Sequence, residues 1–124
     1  MSSALFVYGT LMTGGSQAGL LGRAPRRTAR VHGTLYRLPE GYPAMALGGS
    51  GWVHGELVED AATPTILTVL DQYEGVAQGL YSRVLVTVHT QLRRVQAWAW
   101  VMSSPHRRGG KLIVDGRWRT WRHR

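Results

Sequence analysis

The chain of 124 residues contains no cysteine. This absence excludes disulfide bonds, thiolate nucleophiles and cysteine-based zinc or iron–sulfur sites. No apolar run reaches the ~18 residues of a membrane-spanning helix. The first residues also lack the basic region and the long apolar stretch of a signal peptide. We therefore expect a cytoplasmic protein with no membrane partner.

Recognisable metal and cofactor motifs are missing as well. The five histidines are scattered along the chain, and no HExxH pattern occurs, so we predict no metal site. There is no GxSxG, no P-loop and no GxGxxG. We therefore predict that the protein binds neither a metal nor a cofactor.

The composition is that of a globular protein, with 44% hydrophobic and 18% charged residues. A chain of this length fits one domain, 1–124. The 16 glycines indicate many sharp turns and favour strands joined by loops over a helical bundle. We expect a monomer or a weak homodimer.

Positive charge is concentrated near the end of the chain, where Arg117-Trp118-Arg119-Thr120-Trp121-Arg122 alternates arginine with tryptophan within a net charge of +8. Such a segment could stack on and neutralise nucleic acid. More often the tryptophans pack on the core while the arginines face solvent. We favour packing of Trp118 or Trp121, with mobile last residues, and do not expect a nucleic-acid partner.

Several segments have the pattern of strands. These are residues 4–8, 31–38, 53–58, 83–89 and 95–102, with a hairpin turn at Leu92-Arg93 joining the last two. Gly33 and Gly55 inside two of them suggest bulges or bends. The stretches 41–43 and 48–51 have turn composition, and a short helix is expected near residues 17–21. The predicted fold class is α+β: a small mixed, mainly antiparallel barrel of about five or six strands with flanking helices.

One helix is clearly predicted after Thr63-Pro64, since threonine is a good N-cap and proline suits the first helical position. The predicted buried face is Ile66, Val69, Leu70 and Tyr73, and Gly75 predicts the end of the helix.

Two short motifs could carry chemistry. Tyr8-Gly9-Thr10-Leu11 follows the first strand, where a glycine lets successive N–H groups face an anion or a carbonyl oxygen; an ordinary turn is the alternative.

Glu74, in the last helical turn, lies at the negative end of the helix dipole, which raises the pKa of its carboxyl and suits proton transfer. A solvent-facing glutamate is the alternative there. Tyr81 follows across a glycine-rich bend that could fold it over the same site.

The order of these segments resembles the γ-glutamylcyclotransferase-like (AIG2-like) family from end to end, and most of all its γ-glutamylamine cyclotransferases. The resemblance rests on Phe6-Val7-Tyr8-Gly9-Thr10-Leu11-Met12, Gly33-Thr34-Leu35-Tyr36, Gly41-Tyr42-Pro43-Ala44, Val53-His54-Gly55-Glu56-Leu57, Leu70-Asp71-Gln72-Tyr73-Glu74-Gly75, Tyr81-Ser82-Arg83-Val84 and Ala97-Trp98-Ala99-Trp100-Val101. The pair Tyr-Gly-Thr-Leu and Leu-Asp-x-x-Glu-Gly, in this order, is its specific part. The ending departs from the family pattern, reading Asp115-Gly116-Arg117-Trp118-Arg119 in place of Gly-Asp-Trp-Arg.

The resemblance implies an enzyme that forms 5-oxoproline from a small γ-glutamyl substrate. Its implied substrate-binding residues are Tyr8, Gly9, Thr10, Leu11, Tyr81 and Trp100, the last standing where relatives often have tyrosine. Glu74 is its implied catalytic acid–base, and Glu56 is expected to be nearly silent on mutation. A non-catalytic binding module of the same fold, and a basic nucleic-acid-binding protein, are the alternatives.

Overall fold

A computed structural model describes residues 3–118 of the chain. The strands are β1 (Leu5–Val7), β2 (Arg26–Arg37), β3 (Pro43–Val58), β4 (Ser82–His89), β5 (Arg94–Val101) and β6 (Lys111–Leu112), and the helix is α1 (Pro64–Tyr73). Short 3-10 helices cover Ala18–Leu21, Val76–Gln78 and Pro105–Arg108. The first of these agrees with the short helix expected near residues 17–21.

Five strands close into a barrel in the order β3-β1-β5-β4-β2, because β2 also pairs with β3. β6 extends the far end of β2. The β1–β5 contact is parallel and the other pairings are antiparallel. The predicted small mixed, mainly antiparallel barrel is confirmed.

Strands β2 and β3 are both longer than predicted, because each begins earlier in the chain than its pattern indicated. β2 begins at Arg26 rather than Val31, in a stretch predicted as loop. Residues 48–51, predicted as a separate turn, lie within β3. There the pairing steps from His32–Trp52 to Gly33–Leu47, which leaves these four residues without partners in β2. They form a bulge, as the composition near Gly33 suggested.

Helix α1 begins and ends where the sequence predicts. The Thr63 hydroxyl accepts the N–H of Ile66 at 3.2 Å, and Gly75 adopts the left-handed conformation with φ of 67°. The predicted buried face is wrong in part: Val69 and Tyr73 are 39% and 42% exposed. The helix packs instead through residues 66, 67 and 70, because it is rotated so that Asp71 and Glu74 also turn toward the barrel.

Successive side chains along each strand point alternately to the two faces of the sheet, and this alternation separates two apolar clusters. One fills the barrel with side chains from all five strands, among them Phe6, Val31, Leu57, Val88 and Ala99. The other lies between the barrel wall and α1. The hairpin of β4 and β5 was predicted correctly.

The tryptophan that ends the described region joins the barrel core. Trp118 is 4% exposed, which agrees with the packing predicted for the basic segment. Trp121 and the last residues lie outside the described residues. No helix within residues 3–118 is both long and apolar enough to span a membrane.

Candidate active site

A cavity of about 210 Å³ opens at the end of the barrel where β1 stops and α1 ends. Its wall is formed by Phe6, Val7, Tyr8, Gly9, Thr10, Leu11, Tyr42, Pro43, Tyr73, Glu74, Leu80, Tyr81 and Trp100. All seven candidate site residues from the sequence therefore lie around one space. They come from distant parts of the chain, and closure of the barrel brings them together.

The loop after β1 forms part of the cavity wall. A Cβ at Gly9 would lie 2.5 Å from Pro43 Cγ, so only glycine fits at this turn. The Gly9 carbonyl accepts the N–H of Met12 at 3.0 Å and closes the turn. Within residues 3–118, the N–H groups of Thr10 and Leu11 donate to no acceptor. These two donors are available to a carbonyl oxygen or an anion.

Arg26 holds this loop in place through hydrogen bonds to its backbone. Its guanidinium donates to the carbonyls of Leu11 at 2.8 Å and Ala18 at 3.1 Å, and to the Glu56 carboxylate at 2.8 Å. The same carboxylate oxygen accepts the N–H of Thr13 at 2.8 Å. The expectation that Glu56 is silent on mutation does not fit these contacts, because its side chain joins β3 to the loop. The sequence contained no signal for this link.

Glu74 lines the same cavity, as the residue that caps the C-terminus of α1. Its side chain is half-buried, and within residues 3–118 its carboxylate has no hydrogen-bond or ion-pair partner. Burial raises the pKa of this carboxyl from 4.5 to about 7. The direction agrees with the sequence-based expectation, and its cause is desolvation by burial.

Two phenols flank Glu74 and are held in place by the backbone. The Tyr8 hydroxyl donates to the carbonyl of Trp100 at 2.7 Å and accepts the N–H of Met45 at 3.3 Å. The Tyr81 hydroxyl donates to the carbonyl of Pro43. Burial raises the pKa of both phenols well above the ordinary value, and the nearby charge of Glu74 adds to it. Both tyrosines therefore stay neutral and keep their positions.

Trp100 is fixed by Asp71, one helical turn before Glu74. The indole Nε1–H donates to Asp71 Oδ1 at 2.9 Å, and Arg83 donates to both oxygens of that carboxylate at 2.9 and 3.2 Å. This network ties α1 to β4 and β5. Asp71 therefore supports the cavity wall from outside the cavity.

Six lining residues were not among the predicted site residues: Phe6, Val7, Tyr42, Pro43, Tyr73 and Leu80. All of them except Leu80 fall within the motifs that carry the resemblance. Tyr73 was placed on the buried helix face, but its hydroxyl lies 3.1 Å from Thr10 Oγ1 at the cavity mouth. In the described part of the chain, no three acidic or histidine side chains could hold a metal ion together.

Comparison with known proteins agrees with this geometry. The family model described as "Gamma-glutamyl cyclotransferase, AIG2-like" matches residues 5–120, which is nearly the whole chain. No curated protein matches.

Solved structures share the fold. YkqA from Bacillus subtilis is 28% identical with a TM-score of 0.76, over 97% of this chain and 40% of its own. The uncharacterized protein PH0828 from Pyrococcus horikoshii is 24% identical with a TM-score of 0.70, over 98% of this chain and 94% of its own. An AIG2-like protein from Mus musculus is 24% identical with a TM-score of 0.68, over 82% of this chain and 78% of its own. This chain thus spans well under half of YkqA and most of the other two.

Proposed function

This chain belongs to the gamma-glutamyl cyclotransferase, AIG2-like family, and from that premise we propose that it cyclises a γ-glutamyl amine or peptide. The products are 5-oxoproline and a free amine. The α-amine nitrogen of the substrate attacks its own γ-carbonyl carbon, a new C–N bond closes the five-membered ring, and the C–N bond to the leaving amine breaks. Since the nucleophile belongs to the substrate, the protein needs no nucleophile of its own.

The observation that carries the proposal is that the unpartnered carboxylate of Glu74 lines the same cavity as Thr10 and Leu11, whose backbone N–H groups have no acceptor in the described residues. A carboxyl with a pKa of about 7 exchanges protons readily near neutral pH. In this mechanism the α-amine attacks in its neutral form, and Glu74 takes the proton that the attacking nitrogen loses as the new C–N bond forms. It then returns that proton to the nitrogen of the leaving amine, so the carboxylate is regenerated.

The N–H groups of Thr10 and Leu11 suit the negative charge that develops on the γ-carbonyl oxygen. Donors fixed in a loop stabilise such an oxyanion without reorganising at the moment of reaction. The loop is held by Arg26, which restricts its movement.

Ring closure also requires a bent substrate whose amine nitrogen lies ~3–3.5 Å from the carbonyl carbon. Tyr8, Tyr81 and Trp100 are each held by hydrogen bonds to the fold. Such rigid walls favour one folded conformation of the γ-glutamyl chain, and this reduces the entropy that must be lost at the transition state.

Measurement of 5-oxoproline released from γ-glutamyl amides tests the proposal, with the Glu74→Gln variant as the decisive comparison. Glutamine keeps the shape of the side chain but can neither accept nor release the transferred proton. Turnover should therefore fall by ~10²–10⁴-fold with the fold intact. Asp60→Asn is the matched control, since Asp60 is exposed and outside the cavity. Turnover by Glu74→Gln close to that of the wild type would contradict the mechanism, and binding without any product would favour a non-catalytic module.

A further inference from the structure

Two adjoining cavities lie on the barrel wall outside the active site. Their volumes are about 200 and 170 Å³, and they adjoin because Thr28 and His54 line both. Neither shares a lining residue with the active-site cavity. The smaller one lies where β2 meets β4, which pair through a single pair of residues in the described strands. We use the term seam surface for this smaller cavity and four side chains at it: Arg30, His32, Trp52 and His89.

Arg30 brings a guanidinium with open donors to the seam surface. Its central carbon lies 3.9 Å from the ring centre of Trp52, and within residues 3–118 its N–H groups donate to no acceptor. By contrast, Arg26, Arg27 and Arg83 each pair with a carboxylate. A guanidinium that stacks on an indole keeps its donor edge free for an acceptor with two oxygens, such as a phosphate.

Three aromatic rings extend the seam surface beside Arg30. His32 stacks on Trp52 with ring centres 3.7 Å apart, and His89 meets these two rings edge-on at 5.6 and 5.1 Å. The three rings come from β2, β3 and β4, and strand pairing places them on one face. His32 is exposed, while Trp52 and His89 are half-buried. Part of each ring therefore faces solvent, where a planar group can stack on it.

The charge of the seam surface is positive and not balanced by nearby acids. Desolvation lowers the pKa of His89, and the positive charges of His32 and two arginines lower it further. A carboxylate close to this imidazole would act in the opposite direction. Among the described residues that line the two cavities, Glu56 is the one acid, and it is already paired with Arg26 at 2.8 Å. The surface therefore favours an anion.

We propose that the seam surface binds single-stranded nucleic acid, with Arg30 on a backbone phosphate and a base against the rings of His32 and Trp52. Unpaired bases can stack on side chains, whereas those of a duplex cannot, so a single strand fits these rings better. The net charge of +8 attracts the phosphate backbone from a distance.

This site is distinct from both surfaces considered above. The expectation against a nucleic-acid partner was drawn from the terminal arginine–tryptophan segment, whereas the seam surface is assembled from three strands. The binding is also independent of 5-oxoproline formation, because neither Arg30 nor Trp52 lines the active-site cavity.

Fluorescence anisotropy of a labelled single strand of ~12 nucleotides, titrated with the full chain, tests the proposal. We expect Kd to rise steeply with salt concentration. Arg30→Gln should raise Kd by ~5-fold and reduce the slope of log Kd against log salt by ~1, because one phosphate contact is lost. Trp52→Leu should raise Kd by ~5–10-fold through lost stacking.

Arg107→Gln is the matched control. It removes the same charge from an exposed arginine that lines neither these two cavities nor the active site, so Kd should change by less than ~2-fold. Thermal unfolding verifies that each variant keeps its fold. Release of 5-oxoproline should stay at the wild-type level in Arg30→Gln and Trp52→Leu, so the two proposals are tested separately.

Three results would overturn the inference. The first is no binding of the single strand by the wild type. The second is an equal loss in Arg30→Gln and Arg107→Gln, since net charge rather than the seam surface would then hold the strand. The third is a duplex of the same length that binds as tightly as the single strand, because the rings would then take no part.

Discussion

The Arg26 guanidinium lies 2.8 Å from the Glu56 carboxylate, and this pair holds the loop that supplies the two backbone donors of the cavity. Both side chains are mostly buried, with 16% and 21% of their surfaces exposed. Each makes further hydrogen bonds to the loop, so neither is an ordinary surface charge. Arg26 and Glu56 are positioning residues that touch the loop rather than the cavity.

Replacing Arg26 with methionine removes the hydrogen bonds that hold the carbonyls of Leu11 and Ala18. Because the loop can then move, we expect KM for a γ-glutamyl amide to rise ~10-fold. Arg27→Met is the matched control, since that side chain is 52% exposed and pairs only with Glu59 in the described contacts. We expect Arg26→Lys to have a KM between those of Arg26→Met and the wild type. Glu56→Gln should raise KM less than Arg26→Met does. An unchanged KM in a folded Arg26→Met variant would contradict this role.

Stability should depend on pH through Glu74. The folded protein holds this proton up to a pH of about 7, whereas an ordinary glutamate releases it near 4.5. The unfolded state therefore loses the proton first, and the free energy of unfolding falls as pH rises from 4.5 to 7. With partial exposure taken into account, Glu74→Gln should be more stable than the wild type by ~1–3 kcal/mol above pH 7 and equal to it below pH 4.5.

Thermal unfolding of both proteins across this pH range measures the difference. Asp60→Asn serves again as the control. The difference between its stability and that of the wild type should not grow as pH rises from 4.5 to 7. A Glu74→Gln protein that is less stable than the wild type at pH 8 would show that the carboxylate has a stabilising partner.

Asp71→Asn should affect stability and substrate binding more than the chemical step. The change removes the charge that Arg83 contacts and weakens the acceptor of Trp100, at side chains that are about a quarter exposed. We expect a loss of ~0.5–1.5 kcal/mol in the free energy of unfolding and a rise in KM with kcat nearly retained. A fall in kcat as large as that of Glu74→Gln would instead place Asp71 in proton transfer.

Gly55 is required because β1 crosses it closely. A Cβ there would collide with the carbonyl oxygen of Val7 and lie 3.0 Å from Phe6 Cζ. Gly55→Ala should therefore destabilise the protein by ~1–3 kcal/mol. Gly19→Ala is the matched control, since a Cβ there meets nothing within 4 Å. Denaturant titrations of the two variants compare them, and equal midpoints would contradict the close approach.

Trp118 should matter for stability rather than for nucleic-acid binding. Its ring is buried in the barrel core, so Trp118→Ala should lose ~3 kcal/mol. Its Nε1–H is buried without an acceptor in the described residues, so Trp118→Phe should remain within ~1 kcal/mol of the wild type. Urea denaturation measures both variants. Deletion of residues 117–124 that abolished tight, salt-dependent DNA binding would support the nucleic-acid alternative.

The sequence predicted correctly those secondary-structure elements whose position depends on a local pattern. Thr63, Pro64 and Gly75 mark the ends of α1 because capping and left-handed backbone are properties of single residues. The hairpin of β4 and β5 follows from alternating valines and alanines. The start of β2 at Arg26 was missed because its polar residues show no strand pattern, and pairing with β3 alone decides it.

The candidate site likewise has one part that the sequence predicted and one part that it did not. The residue types, their order and the family resemblance pointed to Tyr8-Gly9-Thr10-Leu11 and Glu74 from the sequence alone. The rotation of α1, which exposes Tyr73 and buries one side of Glu74, was not predicted, because the segment's pattern favours the more apolar stripe with Val69 and Tyr73. Only the tertiary contacts of Asp71 with Arg83 and Trp100 turn the other stripe inward.

The sequence by itself determined the barrel class, the helix boundaries and the candidate chemistry, because each depends on short-range propensity or on a local motif. Only the tertiary structure decided that burial without a partner raises the pKa of Glu74 and that Arg26 and Glu56 hold the loop after β1. These properties depend on which side chains meet across the closed barrel, and such meetings join residues up to 92 positions apart.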